Sequence, residues 1–369
     1  MVHVRKVGVE EEMFLVDPRT GHIVPVSARA MEADKRQDEQ HEQPEELEQE
    51  LHLQQIEINT EPTHSLSELR AHLAAGRERA ASAAVRAGAA LLAVPTPLFT
   101  GSEGEVTPNP RYQQMLDLYG EVGNRGPVCG MHVHAEIEND DEGVRVIDHI
   151  QPWLPVLVAL SANSPFYKGA DTSYASWREQ VWDGWPSAGP SQPFGDAASY
   201  HEAIRRLIRS EAILDKAMVY FDVRLATDHP TVEVRVADIC TDIDDALLIA
   251  AVTRALVETT ATTDETTEPW RVEMLRAGRF MARRFGLTGA LLDPRTAEPR
   301  PAAEVVSLAL DHVGDALRAA GDEDVVRDGV ERLLRDGGGA GRQRKVAGDR
   351  LDLDAVAQDL LRRTQAGLS

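Results

Sequence analysis

The sequence predicts an α+β fold: a mainly antiparallel sheet, with helices packed on one side of it. Two observations predict this. Short β-branched or alternating segments are scattered through the first two-thirds of the chain, joined by hairpin-like turns or by helical stretches. The remainder, 268–369, reads as helices. A third feature gives the fold its interest, because several of the strands carry acidic residues or histidines where a sheet would ordinarily be apolar.

The first such strand is Val7 to Val16, Val-Gly-Val-Glu-Glu-Glu-Met-Phe-Leu-Val. Side chains alternate along a strand, so Glu10 and Glu12 share one face and Glu11 takes the other. Two carboxylates on one face of an apolar strand are costly unless something neutralises them, and a bound cation would do so. A solvated edge strand would serve equally well for this stretch taken alone. Asp17 to His22 is a turn, and Ile23 to Val26 a short strand completing a hairpin. Residues 32–52, almost all charged or amide, read as an exposed helix or an acidic surface loop. Leu53 to Thr60 alternates as a strand, with Gln55, Glu57 and Asn59 on one face.

Ser65-Leu-Ser-Glu68 is a capping box opening a helix that runs to about Ala90. Leu91 to Val94 is a short strand, and Arg111 to Leu118 a helix. In the strand Val128 to Ile137, His132, His134 and Glu136 fall on one face. Gly143 to Ala162 is helical, with Pro152 and Pro155 near the first turn of its main part. Residues 163–198 are rich in Gly, Pro, Ser and Trp, and so long an irregular segment suggests a functional wall or lid. A capped helix opens at Ser199-Tyr-His-Glu202, and strands follow at Val219 to Leu225 and Thr231 to Ala237. Glu233 and Arg235 share a face of the second. Asp242 caps an apolar helix to about Thr260. Further helices span 269–285, 301–319, 323–336 and 353–364, with Gly337 to Gly341 as a flexible break. The 369 residues read as one catalytic domain, with a core at 5–290 and a helical part at 291–369.

Composition bounds the function. With 39 basic and 61 acidic residues the net charge is −22, which argues against general nucleic-acid binding. No window approaches the ~18 apolar residues of a transmembrane helix, and the N-terminus has no apolar signal region. Cys129 and Cys240 lie in apolar strand contexts, as small core residues of a reduced, cytoplasmic protein would.

If the polar strand faces converge, one side of the sheet gathers Glu10, Glu12, Glu57, Glu233, histidines and Arg235. Oxygen-dominated clusters select hard cations such as Mg²⁺ or Mn²⁺, and Mg²⁺ commonly shares its shell with substrate phosphates. Arg235 offers a planar fork for a phosphate or carboxylate oxygen. This set fits phosphoryl transfer. Other readings stand beside it. His132 and His134, at i and i+2, could chelate a transition metal in a hydrolase, and Glu233 and Arg235 could be a same-face ion pair. A non-catalytic Mg²⁺-ATP-binding protein is the third reading. Gly-x-x-x-x-Gly-Lys-Ser/Thr and Gly-x-Gly-x-x-Gly nucleotide motifs are absent.

Five segments resemble the type 2 glutamate–cysteine ligases, the bacterial carboxylate–amine ligases. In order, they are Gly8-Val-Glu-Glu-Glu12, Gln55-Ile-Glu-Ile-Asn59, Cys129-Gly-Met-His-Val-His134, Leu160-Ser-Ala-Asn-Ser-Pro165 and Val232-Glu-Val-Arg-Val-Ala-Asp238. The resemblance implies a glutamine synthetase-like catalytic fold, a curved antiparallel sheet binding ATP and divalent ions. It implies Glu10, Glu12 and Glu57 as Mg²⁺ ligands, His132 at the metal or phosphate site and Glu233 as a further ligand. Arg235 would bind phosphate or the reacting carboxylate. The implied reaction activates a glutamate carboxylate as an acyl phosphate at the expense of ATP and forms an amide with an amine such as cysteine. Glu57 and Arg235 are the residues expected to be essential for turnover, Arg178 is expected to grip a substrate carboxylate, and a homodimer is the expected assembly.

Overall fold

In a computed structural model of the chain, the residues described are 4–38, 47–101, 103–124, 126–263 and 269–366. The strand at the centre, β1 (Val7–Val16), has Met13, Phe14, Leu15 and Val16 wholly buried, because it is covered on both faces and paired on both edges. Its partners are β2 (Leu47–Glu48), β3 (Gln55–Asn59), β4 (Ala90–Leu92), β5 (Gly130–Glu136), β8 (Val223–Leu225) and β9 (Thr231–Asp238). They form a seven-stranded sheet of order β2-β3-β1-β5-β9-β8, with β4 pairing the end of β1, and every pairing is antiparallel. Two small hairpins stand apart: β6 (Phe166–Tyr167) with β7 (Ala170–Asp171), and β10 (Ala290–Leu292) with β11 (Pro299–Pro301). The second interrupts a region that the sequence predicts to be helical throughout.

The helices are α1 (Ser27–Asp38), α2 (Leu66–Arg86), α3 (Pro110–Tyr119), α4 (Asp140–Ile150), α5 (Leu154–Ser161), α6 (Arg178–Trp182), α7 (Ala197–Arg209) and α8 (Ile243–Thr262). They continue with α9 (Val272–Phe285), α10 (Ala302–His312), α11 (Gly314–Ala320), α12 (Glu323–Asp336), α13 (Gly338–Ala347) and α14 (Leu353–Ala366). None among the described residues is long and apolar enough to cross a membrane. Ser65 caps α2 through the backbone N–H of Glu68, and Asn109 caps α3 ahead of Pro110 at its first position. The helix after the irregular segment is capped by Asp196, three residues before the predicted start. Helices α2, α5 and α8 lie against one face of the sheet. α8 is apolar nearly all round because it is sandwiched between the sheet and α4, α11 and α12. One hydrophobic core runs from Val7 to Leu361, so the C-terminal helices pack into the same interior as the sheet.

Three local expectations differ. Ile23 makes a single bridge to Val16 and no strand. Gly337 to Gly341 is the junction of α12 and α13, not a flexible break: Gly339 packs against Asn163, whose Oδ1 would lie 2.3 Å from any Cβ there. Of the acidic 32–52 stretch, 32–38 belongs to α1 and 47–48 to β2, while 39–46 lies outside the described residues.

Glu11 shows how the helix-facing side of β1 tolerates a charge. Its two oxygens accept from Arg77 Nε at 2.7 Å and Nη2 at 2.6 Å, and both residues are fully buried. Arg77 also donates to the carbonyls of Thr241 at 2.8 Å and Cys240 at 2.7 Å. Four of its five N–H groups are thereby used, and α2 is pinned to β1 and to the segment entering α8. Arg77→Leu is expected to cost about 3–5 kcal/mol, since it strands Glu11 and two carbonyls in the core. Urea unfolding of the single variant and of the double variant with Glu11→Leu measures this. A single variant within about 1 kcal/mol of the parent would refute the role assigned to the pair.

Candidate active site

With Glu11 directed at the helices, Glu10 and Glu12 point to the opposite, open face of the sheet. Strand register then determines what stands beside them. Glu12 is opposite Glu57 on β3, and Glu57 is opposite Glu48 on β2. Glu10 is opposite His132 on β5, His134 is opposite Glu233 on β9, and Glu233 is opposite Arg224 on β8. Between Met131–Ala237 and Val133–Val234, β9 uses one residue more than β5. This bulge falls at Arg235 and Val236, beside His132, and bulges re-aim side chains in this way. The result is a band of charge running transversely across six strands. Glu136 ends β5 outside it, accepting instead from the Lys6 backbone.

A cavity of about 370 Å³ opens over this band. Its floor is Glu10, Glu12, Gln55, Glu57, His132 and Arg235. Its walls come from Glu50, Leu51 and His52, from Arg111, Tyr112 and Met115 of α3, and from Trp182, Trp185 and Tyr220.

The carboxylates fall into two clusters. In the first, ligand atoms of Glu10, His132 and Glu233 all lie within 4.8 Å of one another. His132 Nδ1 is 2.9 Å from Glu10 Oε2, and His134 Nε2 is 2.9 Å from Glu10 Oε1. Burial, then the charge of Arg235, pushes His132 down to about 4, so it is neutral at pH 7. Burial would raise Glu10, but the two histidines outweigh it and hold the carboxyl well below its usual range. With Nδ1–H given to Glu10, His132 Nε2 is a bare lone pair, buried and without a partner. Glu233 accepts from Arg224 at 2.6 and 3.1 Å and from Arg235 Nη1. Burial favours its neutral form, but Arg235 and Arg224 prevail and lower it to about 2.

The second cluster, Glu12, Glu50 and Glu57, also holds its ligand atoms within 4.8 Å of one another. No lysine or arginine forms an ion pair with it among the described residues. Glu12 accepts one backbone N–H, from Gly130 at 2.6 Å. Burial and the charge of Glu50 push the Glu12 carboxyl up to about 7 and raise Glu57 well above its ordinary value. Three crowded carboxylates that no cationic side chain pairs with are a donor set suited to hard divalent cations.

Arg235 lies with its guanidinium 5.8 Å from the ring centre of Trp182 and 6.0 Å from that of Tyr220, two rings that meet edge-on at 5.0 Å, so its charge rests against one aromatic cluster. Arg178 is placed otherwise than expected. Its side chain is 1% exposed, donates to Glu179 at 3.1 Å and to the Arg235 carbonyl at 3.3 Å, and packs where any Cβ on Gly130 would lie 2.2 Å away. It sits behind the wall, out of reach of a substrate. The two histidines also do not chelate a metal together, since both nitrogens of His134 are engaged, Nδ1 with Thr231 at 3.0 Å and Nε2 with Glu10 at 2.9 Å. The residues missed from sequence are Glu50, Arg111 and Arg224. Glu50 is one glutamate in a run of them, and its only mark is the apolar spacing of Leu47, Leu51 and Leu53 beside it.

Known proteins similar to this chain fall in one family. The model of glutamate-cysteine ligase family 2 matches residues 6–355. "Putative glutamate–cysteine ligase 2" of Streptomyces coelicolor is 46% identical, over 98% of this chain and 100% of that protein. "Putative glutamate–cysteine ligase 2-1" of a Nocardioides species is 44% identical, over 98% of this chain and 97% of that one. Among solved structures, glutamate–cysteine ligase from Francisella tularensis, in complex with AMP, superposes with a TM-score of 0.74 at 12% identity, covering 100% of this chain and 90% of that one. At that identity the likeness concerns the fold.

Proposed function

The chain belongs to glutamate-cysteine ligase family 2 and is an ATP-dependent, amide-forming carboxylate–amine ligase of glutamine synthetase-like fold, and from that premise we propose that it joins glutamate to an amine, with cysteine the first candidate. The observation that carries the proposal is the uncompensated cluster of Glu12, Glu50 and Glu57 lying beside a second, arginine-backed cluster on one open face. One divalent cation would be held by Glu12, Glu50 and Glu57 and another by Glu10, His132 and Glu233, neutralising the triphosphate and the phosphoryl group in transfer.

A glutamate carboxylate oxygen attacks the γ-phosphorus of ATP, and ADP leaves. The acyl phosphate so formed has a leaving group that a free carboxylate lacks. The amine nitrogen then attacks the carbonyl carbon, phosphate departs, and the nitrogen gives up a proton. Arg235, held beside Trp182 and Tyr220, presents its guanidinium to the charge that develops on the transferring group. The aromatic wall and α3 close the cavity over the acyl phosphate and keep water from it. The same reading covers the whole chain as one catalytic unit and places it in the cytoplasm as a homodimer; Cys129 and Cys240 are buried free thiols. ADP release from Mg²⁺-ATP, with and without glutamate and across amines including cysteine, tests the reaction. Turnover that no acid or amine stimulates would refute it.

The two cation positions should fill in order. Glu12, Glu50 and Glu57 have no competing cation, whereas Glu233 must first give up two arginines. Mn²⁺ titration followed by electron paramagnetic resonance should show one site filling alone and a second only with a non-hydrolysable ATP analogue. Because Glu12 stands at about 7, cation entry expels a proton, and the first affinity should rise as pH increases from about 6 to 8. Two sites filling equally without nucleotide would contradict the assignment.

A further inference from the structure

Resting on the ligase reading, we propose that Arg111 recognises a carboxylate remote from the reacting groups, so that at least one of the two molecules joined is an amino acid held by that carboxylate. Three arginines line the cavity: Arg111, Arg224 and Arg235. Arg224 has four of its five N–H groups taken, with Nε and Nη2 on Glu233 and Nη1 on the carbonyls of Ala217 at 3.1 Å and Val219 at 2.9 Å. Arg235 is committed to Glu233 and to phosphoryl chemistry.

Arg111 differs. Its Nε and Nη2 hold the two oxygens of Asp215 at 2.7 and 2.9 Å, while Nη1 meets only the sulfur of Met115 at 3.5 Å. The fork is thus already set for bidentate carboxylate binding. Its present occupant stands at the solvent edge: the Asp215 side chain is 42% exposed, and it also accepts from the Ala217 backbone N–H at 2.9 Å. An ion pair so exposed is worth about 0–1 kcal/mol, so exchanging Asp215 for a substrate carboxylate costs little. Charge within the cavity favours the exchange. The β1–β3 side is crowded with Glu12, Glu50 and Glu57, which repel a second carboxylate, and of the three cavity arginines only Arg111 has no part in the cation clusters.

Glutamate and cysteine each carry such a carboxylate, and analogues separate them. 4-Aminobutyrate keeps the reacting carboxylate of glutamate and lacks the remote one; cysteamine is cysteine without its carboxylate. The native protein should prefer glutamate to 4-aminobutyrate, or cysteine to cysteamine. Arg111→Gln should raise KM for the carboxylate-bearing member of one pair by about ten- to a hundred-fold, with kcat little changed, and erase that preference. Arg111→Lys should fall between, having charge without the fork. The affected pair identifies the molecule held. Both preferences surviving in Arg111→Gln, at unchanged melting temperature, would overturn the proposal. A native protein that turns over no pair would refute the ligase reading instead. Calorimetric binding of glutamate and of cysteine to the Mg²⁺-loaded protein then decides on Arg111: weakening at least ten-fold in Arg111→Gln supports the site, and no change or no binding overturns it.

Discussion

Glu57→Gln is expected to abolish turnover and, at the same time, to stabilise the protein without metal. Glu57 lies opposite Glu12 and shares a cluster with Glu50. Removing one of three anionic ligands should weaken the cation held there and lower ADP release by at least ~10³-fold, the scale of losing several kcal/mol of transition-state charge stabilisation. Stability moves the other way. Burial and neighbouring carboxylates raise Glu57 in the folded protein, so the folded state takes up a proton more readily than the unfolded one. The contribution of such a group to stability is complete below the unfolded value and is lost as pH rises through the folded one. At neutral pH the crowded carboxylates therefore destabilise the native state, whether they keep a proton or lose it, and glutamine removes part of that cost. In EDTA at pH 7.5 the variant should melt a few degrees higher than the parent, and the difference should shrink toward pH 5. Loss of activity with lowered stability would show that Glu57 supports the fold rather than a cation.

Much of this site can be read in the sequence because strand alternation is strict. Glu10 and Glu12 face one way and Glu11 the other whatever the rest of the chain does, and Arg77 meets Glu11 on the helix side. His132 and His134 follow the same rule on β5. What alternation does not contain is register. That Glu57 stands opposite Glu12, or that a bulge turns Arg235 toward His132, depends on how strands distant in sequence pair.

Residues outside the strands were harder to read, for two physical reasons. Glu50 looks solvated because its neighbours are, and only the placement of β2 and β3 brings it over Glu12. Arg178 looks like a grip for a substrate carboxylate because it is an arginine in a Gly- and Trp-rich segment that reads as a wall or lid. Packing against Gly130 buries it, and its charge is spent inside the wall next to Glu179. Glu179 and Asp183 in turn bind Arg279 at 2.6 and 2.8 Å, tying α6, and with it Trp182, to α9. The irregular segment is thus a rigid wall, and its rigidity bears on Arg235.

Arg235→Ala is expected to lower kcat by about 10²–10³-fold, the effect of removing one preorganised charged donor from a phosphoryl-transfer site. The loss should appear in kcat more than in KM for ATP. In the absence of nucleotide the guanidinium is engaged by Glu233, and it meets the transferring group only as charge develops there. The fold should survive, since Arg224 still pairs with Glu233 through two hydrogen bonds and no carboxylate is left unpaired. Arg235→Lys should recover only part of the rate, because an ammonium lacks the planar fork that spans two oxygens. Trp182→Leu adds a separate test of the same residue. If the indole acts by orienting Arg235, it should slow the parent and leave Arg235→Ala no slower than before, because contacts in one unit are not additive. Steady-state ADP release on the four proteins resolves this. Equal proportional losses in both backgrounds would mean that Trp182 acts elsewhere, and a native rate in Arg235→Ala would remove the arginine from the mechanism.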